Sequence, residues 1–599
     1  MKLKQAVVTY QLLCSLLVLT HTLHAQKPDV RDISQGLSIY ENGYMDQPYV
    51  TVLPNGNWLC MFTTGAATES RPGQHVVATT STDKGRTWSK PVDIEPSSGP
   101  LASWAMPYLT SFGRVYAFYD YNGDNINSLN GKPLKQVGEL GWYCYKYSDD
   151  NGQTWSERYR LPVRKTPVDF NNDWKGEVQL LWGISKPIKV GNNMYFGFTK
   201  LGKYQQDLGE GWFFKSDNID SEKDATKLNW QLLPDGDQGV RNPAFGSVQE
   251  EQNIASLSNG DLYCMYRTTL GFSAHAYSRD GGRSWTMPEA ASYTPGGQIL
   301  KNPRACPRVF KCQNGKFLFW YHNHSGKDYT GRNPVWISGG VEKDGFIYWS
   351  QPEILQYDND PKGRGMSYPD LIEQDGKYWI TETQKVKARV HSIEPSLLEG
   401  MWNQATANSL VKGGLLMDKD ARKANKAVRV PTIPSLKEGG FSLDMWLTFT
   451  DLQPGQIVFD SRDEKGKGIW ITTTDHQTLR LSMSDGSRTE GWDTDPGVLQ
   501  PGKPHHVVFM VDGAPNIITV AVDGTLCDGG KSRQYGWGRF SADFDDINGN
   551  KKATIAPSLH GQVQQLRLYN RYLTTSEAVS NFNADKLAMT AGLSTKAGR

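Results

Sequence analysis

Glu251 and Arg267 flank an Asn259-Gly260 turn in the stretch EEQNIASLSNGDLYCMYRTT, residues 250–269. Asn-Gly between two runs rich in apolar and aromatic residues predicts an antiparallel hairpin. Glu251 precedes Gly260 by nine residues and Arg267 follows it by seven. A three-residue loop therefore sets the two opposite each other, and a two-residue loop offsets them by one. A carboxylate beside a guanidinium at the open end of an apolar hairpin is either a cross-strand ion pair or part of a site for proton transfer and anion binding. His322 and His324, in WYHNHSGKDYTGRNP, flank the loop leading to Arg332, and His75 starts a strand-like run. Arg241 in GVRNPAFG and Arg304 in KNPRACPRV add positive charge whose place the spacing leaves open. No cluster has metal-ligand spacing, so neither metal nor cofactor is expected.

Two interleaved repeats point to the elements that carry these residues. STDKGRTW (Ser81–Trp88), SDDNGQTW (Ser148–Trp155) and SRDGGRSW (Ser278–Trp285) share the pattern S-x-D-x-G-x-[ST]-W. The Asp accepts backbone N–H groups, Gly relaxes φ and Trp covers the turn. The second interval is nearly twice the first, which predicts a worn copy between them, at Lys215–Trp230; another worn copy is expected at Ser338–Trp349. Strand–turn–strand units centre on Gly56, Gly113, Gly191, Gly260, Gly315 and Gly376, about 55 to 78 residues apart. Such a period, with several strands per unit, predicts an all-β fold: a six-bladed β-propeller over residues 35–395.

On these motifs, residues 40–390 resemble the sialidase (neuraminidase) superfamily, whose Asp-box is the S-x-D-x-G-x-T-W turn. EQNIASLSNGDLYCMYR resembles the family stretch carrying a catalytic Glu and a substrate-binding arginine, here Glu251 and Arg267. GRNPVWISGG resembles the strand of the last triad arginine, implying Arg332, and SYPDLIEQDGKYWITE that of the nucleophilic tyrosine, implying Tyr368 with Glu382 as a supporting acid. The resemblance implies a retaining exo-glycosidase acting on a terminal acidic sugar: a neutral Tyr, activated by Glu, attacks beside the sugar's carboxylate without charge repulsion. The first triad arginine is missing, since DQPYVTVLPNG has Asp46 in its place, and Glu69 is the available acid in TESRPGQHVV. Two alternatives stand beside this reading. One is a lyase on a uronate-containing polysaccharide, with His322 or His324 assisting Tyr368; the other is a glycan-binding propeller without catalysis.

Residues 1–25 read as a secretory signal, with Lys2 and Lys4 before an apolar run and Ala25 at its end, which implies a secreted or periplasmic protein. Removing those two lysines takes the formal charge from +2 to about 0, with no basic patch for nucleic acid and no membrane span. Cys60, Cys144 and Cys264 sit in strand-like runs as buried thiols, and Cys306 and Cys312 are near enough to pair. After a linker at 396–440 with a short helix in SIEPSLLEGMWNQ, residues 441–590 alternate as a β-sandwich. This part resembles the concanavalin A-like, laminin-G-like jelly roll, which binds glycan or braces a catalytic domain. Trp470, Trp492 and Trp537 are its candidate stacking platforms.

Overall fold

The computed structural model describes residues 28–65, 68–422 and 426–591. The expected signal at 1–25 lies outside them. Six antiparallel sheets of four or five strands follow one another, each containing one of the predicted turn glycines. Each of these glycines has positive φ, from +60° at Gly191 to +93° at Gly113, between the first long strands of its sheet. The first sheet is Tyr44–Val52, Trp58–Gly65, His75–Ser81 and Val92–Asp93. In the last, Leu371–Gln374, Lys377–Thr383 and Ala388–Ile393 are completed by Leu37–Tyr40, so both ends of this part of the chain share one sheet.

Neighbouring sheets meet through their first strands. Tyr44–Val52 packs on Ala102–Leu109, and Glu250–Ser256 on Arg308–Lys311. Polar ties reinforce the packing. Asp370 accepts from the Val50 amide at 2.8 Å and from Lys186 at 2.7 Å, while Tyr49 and Arg308 both donate to the Ile184 carbonyl.

The three S-x-D-x-G-x-[ST]-W turns are built alike. Ser81 Oγ bonds Asp83 at 2.8 Å and accepts from the Gly85 amide at 2.8 Å, while Asp83 accepts from the Thr87 amide and hydroxyl at 2.9 and 2.6 Å. The copy after Lys215 keeps part of this, with Asn218 accepting from the Asn229 amide at 2.8 Å. The copy at Ser338–Trp349 does not form. Ser338 is buried in the strand Val335–Lys343, bonded to Tyr321, and the chain turns instead at Asp344-Gly345.

Two further sheets form a sandwich over Phe441, Leu443, Met445, Ile471, Leu481, Phe509 and Val511. It begins inside the expected linker, since Leu415–Asp420 pairs with Gly561–Tyr569 and Lys426–Arg429 with Lys552–Ile555. The short helix appears at Pro395–Trp402. Residues 441–590 do not alternate to their end: the last strand stops at Tyr569, and a helix runs over Thr575–Ala591. The strand Pro504–Asp512 is buried on both faces: Phe509 and Val511 enter the sandwich core, whereas Val508 and Met510 pack with Phe319 and Trp336 of the fifth sheet. All six described cysteines are free and buried, Cys306 and Cys312 included.

Candidate active site

Four first strands share one irregularity. Register slips by one between Asp46 and Tyr49, between Ser103 and Met106, and between Glu250 and Asn253. It slips likewise between the Ser367–Thr383 bridge and Leu371. In each, the residue after the slip begins is left-handed: Gln47 (φ +54°), Trp104 (+62°), Glu251 (+62°) and Tyr368 (+46°). Such a bulge re-aims a side chain at the end of a sheet, at a cost of about 1–2 kcal/mol for each non-glycine residue. The amides of Trp104 and Glu251 are satisfied by Thr63 and Thr199 hydroxyls of the preceding sheets, at 2.8 and 3.0 Å.

The opening hairpin has a three-residue loop, closed by Leu257 N to Asp261 O at 2.8 Å. The bulge then moves Glu250, not Glu251, opposite Arg267. Arg267, itself 1% exposed, holds both carboxylates, Glu251 at 2.6 Å and Glu250 at 2.8 Å. Glu250 is shared with Arg304 at 2.9 Å. Tyr368 Oη donates to Glu251 Oε1 at 2.9 Å. Burial, opposed by Arg267 and reinforced by Glu250, raises the Glu251 carboxyl, and burial together with Glu251 lifts the Tyr368 phenol well above its usual range.

Arg332 donates only to neutral acceptors, Ser367 Oγ at 2.7 Å and the Arg304 carbonyl at 2.9 Å, and its buried Nε has no partner. It makes no ion pair among the described residues, and its charge acts on the Glu251 carboxyl through space. The Tyr329 ring lies within 4.6 to 5.7 Å of the Arg304, Arg332 and Arg267 guanidinium carbons.

Asp46, where the resemblance implied an arginine to be missing, is buried. It accepts from Lys385 Nζ at 2.6 Å and Tyr44 Oη at 2.7 Å, and its carboxyl is raised to about 6 by burial, with Lys385 opposing and Glu69 adding. The Lys385 ammonium reaches Glu69 at 3.2 Å and lies 4.4 Å from the Tyr368 ring centroid. A cation thus stands beside Tyr368, from a different strand connection.

Of these groups, Arg267, Arg304, Arg332, Tyr329, Tyr368, Lys385 and Glu69 line a cavity of about 680 Å³, whereas Glu250, Glu251 and Asp46 are buried outside its lining. Seven lining side chains are Arg or Lys (Arg71, Lys135, Arg267, Arg304, Arg332, Arg364 and Lys385) against the two carboxyls of Glu69 and Glu139, so the cavity is suited to an anion. Spacing did not single out Glu139. It lies in the connection between two strands, accepts from the Gln205 amide at 2.6 Å, and burial pushes its carboxyl up to about 8. Asp120 was missed too. It holds the register position in its sheet that Arg267 holds in the hairpin, inside the core-like run YAFYDY, and burial raises it well above the carboxylate range.

The remaining candidates point elsewhere. Glu382 pairs with Arg389 at 2.8 Å and His391 at 3.4 Å across its own sheet. His75 faces Asp93 at 3.4 Å, and Arg241 donates to the Gly246 carbonyl at 3.4 Å. His322 is buried against the Pro334 carbonyl, its pKa lowered well below the usual value by burial. His324 packs on Tyr535 of the sandwich. None of these lines the cavity. Among the described residues no group of three His, Cys, Asp or Glu is placed to hold a metal ion, and no helix is long and apolar enough to cross a membrane.

Residues 216–380, which contain Glu250, Glu251, Arg267, Arg304, Arg332 and Tyr368, match the family model of the BNR repeat-like domain, and residues 422–579 match that of the concanavalin A-like lectin/glucanases superfamily. The carboxy-terminal sandwich is a concanavalin A-like domain. No curated protein matches the chain. Similar solved structures include Trypanosoma rangeli sialidase in complex with sialic acid, at 13% identity over 92% of this chain and 96% of that one, with a TM-score of 0.41. The intramolecular trans-sialidase from Ruminococcus gnavus in complex with oseltamivir carboxylate is 15% identical over 62% of this chain and 99% of its own, TM-score 0.44. A Hadza microbial sialidase is 18% identical over 59% and 66%, TM-score 0.42. In the concanavalin A-like domain, Trp537 is turned inward, its Nε1 donating to the Asn323 carbonyl at 3.4 Å, so it braces the BNR repeat-like part and offers no stacking platform.

Proposed function

We propose that the six sheets are the blades of a propeller and that the cationic cavity hydrolyses a terminal acidic sugar from a glycan with retention. The Tyr368–Glu251 hydrogen bond of 2.9 Å, made by a tyrosine that lines that cavity to a carboxylate buried outside its lining, carries the reading. Glu251 takes the phenolic proton as Tyr368 Oη attacks the anomeric carbon; the glycosidic C–O bond breaks, and an acid on the cavity wall, Glu69 or Glu139, protonates the leaving oxygen. Water then displaces the tyrosine, with the proton transfers reversed. Arg332, bonded to neutral acceptors and lining the cavity, and Lys385, beside Tyr368, grip the sugar's carboxylate. The lyase alternative finds no support from the histidines, since neither His322 nor His324 lines the cavity.

The test is release of free sugar from a fluorogenic sialoside and from a panel of acidic glycans. Tyr368→Phe and Glu251→Gln should each lower kcat at least about 10³-fold. A slow 3-fluoro acidic glycoside should leave its mass on the peptide containing Tyr368. Turnover that survives both substitutions, or an unsaturated product absorbing in the ultraviolet, sinks the proposal. Binding without turnover by the wild-type protein would make the propeller a glycan-binding module.

A further inference from the structure

Arg332 stands in the connection between the strands Phe317–Tyr321 and Val335–Lys343, and the far side of that connection is gripped by the concanavalin A-like domain. The Ser325 amide donates to the Gln534 carbonyl at 3.1 Å, and Arg539 Nη2 donates to the Asn333 carbonyl at 2.9 Å. Between these ties the Tyr535 ring packs on the His324 ring, with centroids 4.7 Å apart. His324 passes the contact inward. Its Nδ1 accepts from the Gly326 amide at 3.1 Å, which leaves Nε2–H to donate to the Gly331 carbonyl at 2.9 Å. Gly331 precedes Arg332 and has φ +74°; a Cβ there would lie 2.6 Å from His324 Nε2 and 2.8 Å from Tyr535 Oη. A side chain there would force His324 or Tyr535 to shift.

We propose that the concanavalin A-like domain positions the substrate-binding arginine: Tyr535 acts through His324 and Gly331, and Arg539 through Asn333, to hold Arg332 where it meets the sugar's carboxylate. The inference rests on reading Arg332 as a ligand of that carboxylate. Tyr535, Arg539 and His324 are positioning residues and touch no substrate. Such a device acts on ground state and transition state alike, so its loss appears in KM.

Tyr535→Leu and Arg539→Gln should each raise KM for the acidic glycoside about tenfold, with kcat held within about threefold. Amide exchange should quicken over residues 324–333 and stay unchanged over 250–267. Tyr535→Phe keeps the ring and should restore KM. Asp528→Asn is the control: it loosens a different contact between the same parts, to Lys301 at 3.4 Å and Gln298 at 2.7 Å, and should leave KM alone. Equal KM effects in Asp528→Asn and Tyr535→Leu would reduce the domain to a general brace, and unchanged KM in Tyr535→Leu would overturn the proposal outright. If the wild-type protein releases no sugar, the functional reading falls by itself. The exchange comparison then judges the clamp, and unchanged exchange over 324–333 in Tyr535→Leu overturns it.

Discussion

Glu251 must be ionised to take a proton from Tyr368, and burial raises its carboxyl above the ordinary range. Turnover should therefore climb as pH rises through that raised value, giving an acid limb in kcat/KM that lies above pH 4.5. Glu139 is the opposite case. Raised to about 8, it is protonated at neutral pH and equipped to give a proton, so activity should fall as pH passes about 8. Glu139→Gln should lower kcat about 10²-fold for poor leaving groups and abolish the alkaline limb, whereas Glu69→Gln should leave the limb in place. An unchanged limb in Glu139→Gln would return the role of acid to Glu69, which is paired with Lys385. Glu251 and Arg267 could be brought together by counting from a turn glycine, whereas Tyr368 was singled out only by the resemblance of SYPDLIEQDGKYWITE to a family stretch. Glu139 and Lys385 were not legible, because they sit in connections, where no period says which way a side chain faces.

Hairpin turns and bulges set the geometry that counting approximated. Glu251 stands nine residues before its glycine and Tyr368 eight, yet both are the left-handed residue of the same bulge. The last hairpin turns through Asp375-Gly376 alone, one residue shorter than the Ser258–Gly260 loop, and this accounts for the offset. The bulge itself left no mark in the sequence, since Gln, Trp, Glu and Tyr are not residues that favour positive φ. It explains why Glu250 faces Arg267 and why one guanidinium serves two carboxylates. The three S-x-D-x-G-x-[ST]-W turns belong to this scale and were legible, because a local turn needs only its own residues, whereas the worn copy expected at Ser338–Trp349 is taken up by a strand. Asp280 bonds Ser278, the Ser284 amide and the Ser284 hydroxyl at 2.6 to 3.0 Å. Asp280→Ala should cost about 1–2 kcal/mol in a denaturation midpoint with kcat/KM unchanged. A loss of activity at full stability would place that turn nearer the chemistry than the structure does.

Across the whole molecule, buried carboxyls make stability depend on pH. Asp46 is raised to about 6, Glu353 to about 7 and Glu139 to about 8, each with burial as the main cause. Unfolded, these groups ionise near pH 4 to 4.5, so the native state binds more protons between there and about 8. Their stabilising contribution is complete below the unfolded values and is lost as pH rises through the folded ones. The melting temperature should fall from pH 5 to 8, and the fall should be shallower in Glu353→Gln. Identical profiles would show that Glu353, which accepts from the Thr575 and Ser576 amides at the start of the last helix, does not couple the two parts through its proton. The sequence alone determined the all-β class, the six turn units, the Asp-box turns, the alternation of the sandwich strands and the Glu251–Arg267 hairpin, since each depends on residues near one another along the chain. Tertiary structure decided what comes from afar: Lys385 beside Tyr368, Glu139 on the cavity wall, the retreat of Glu382 and the histidines, and the grip of Tyr535 on the Arg332 connection. Burial and charge pairing arise between segments hundreds of residues apart, and local periodicity carries no information about them.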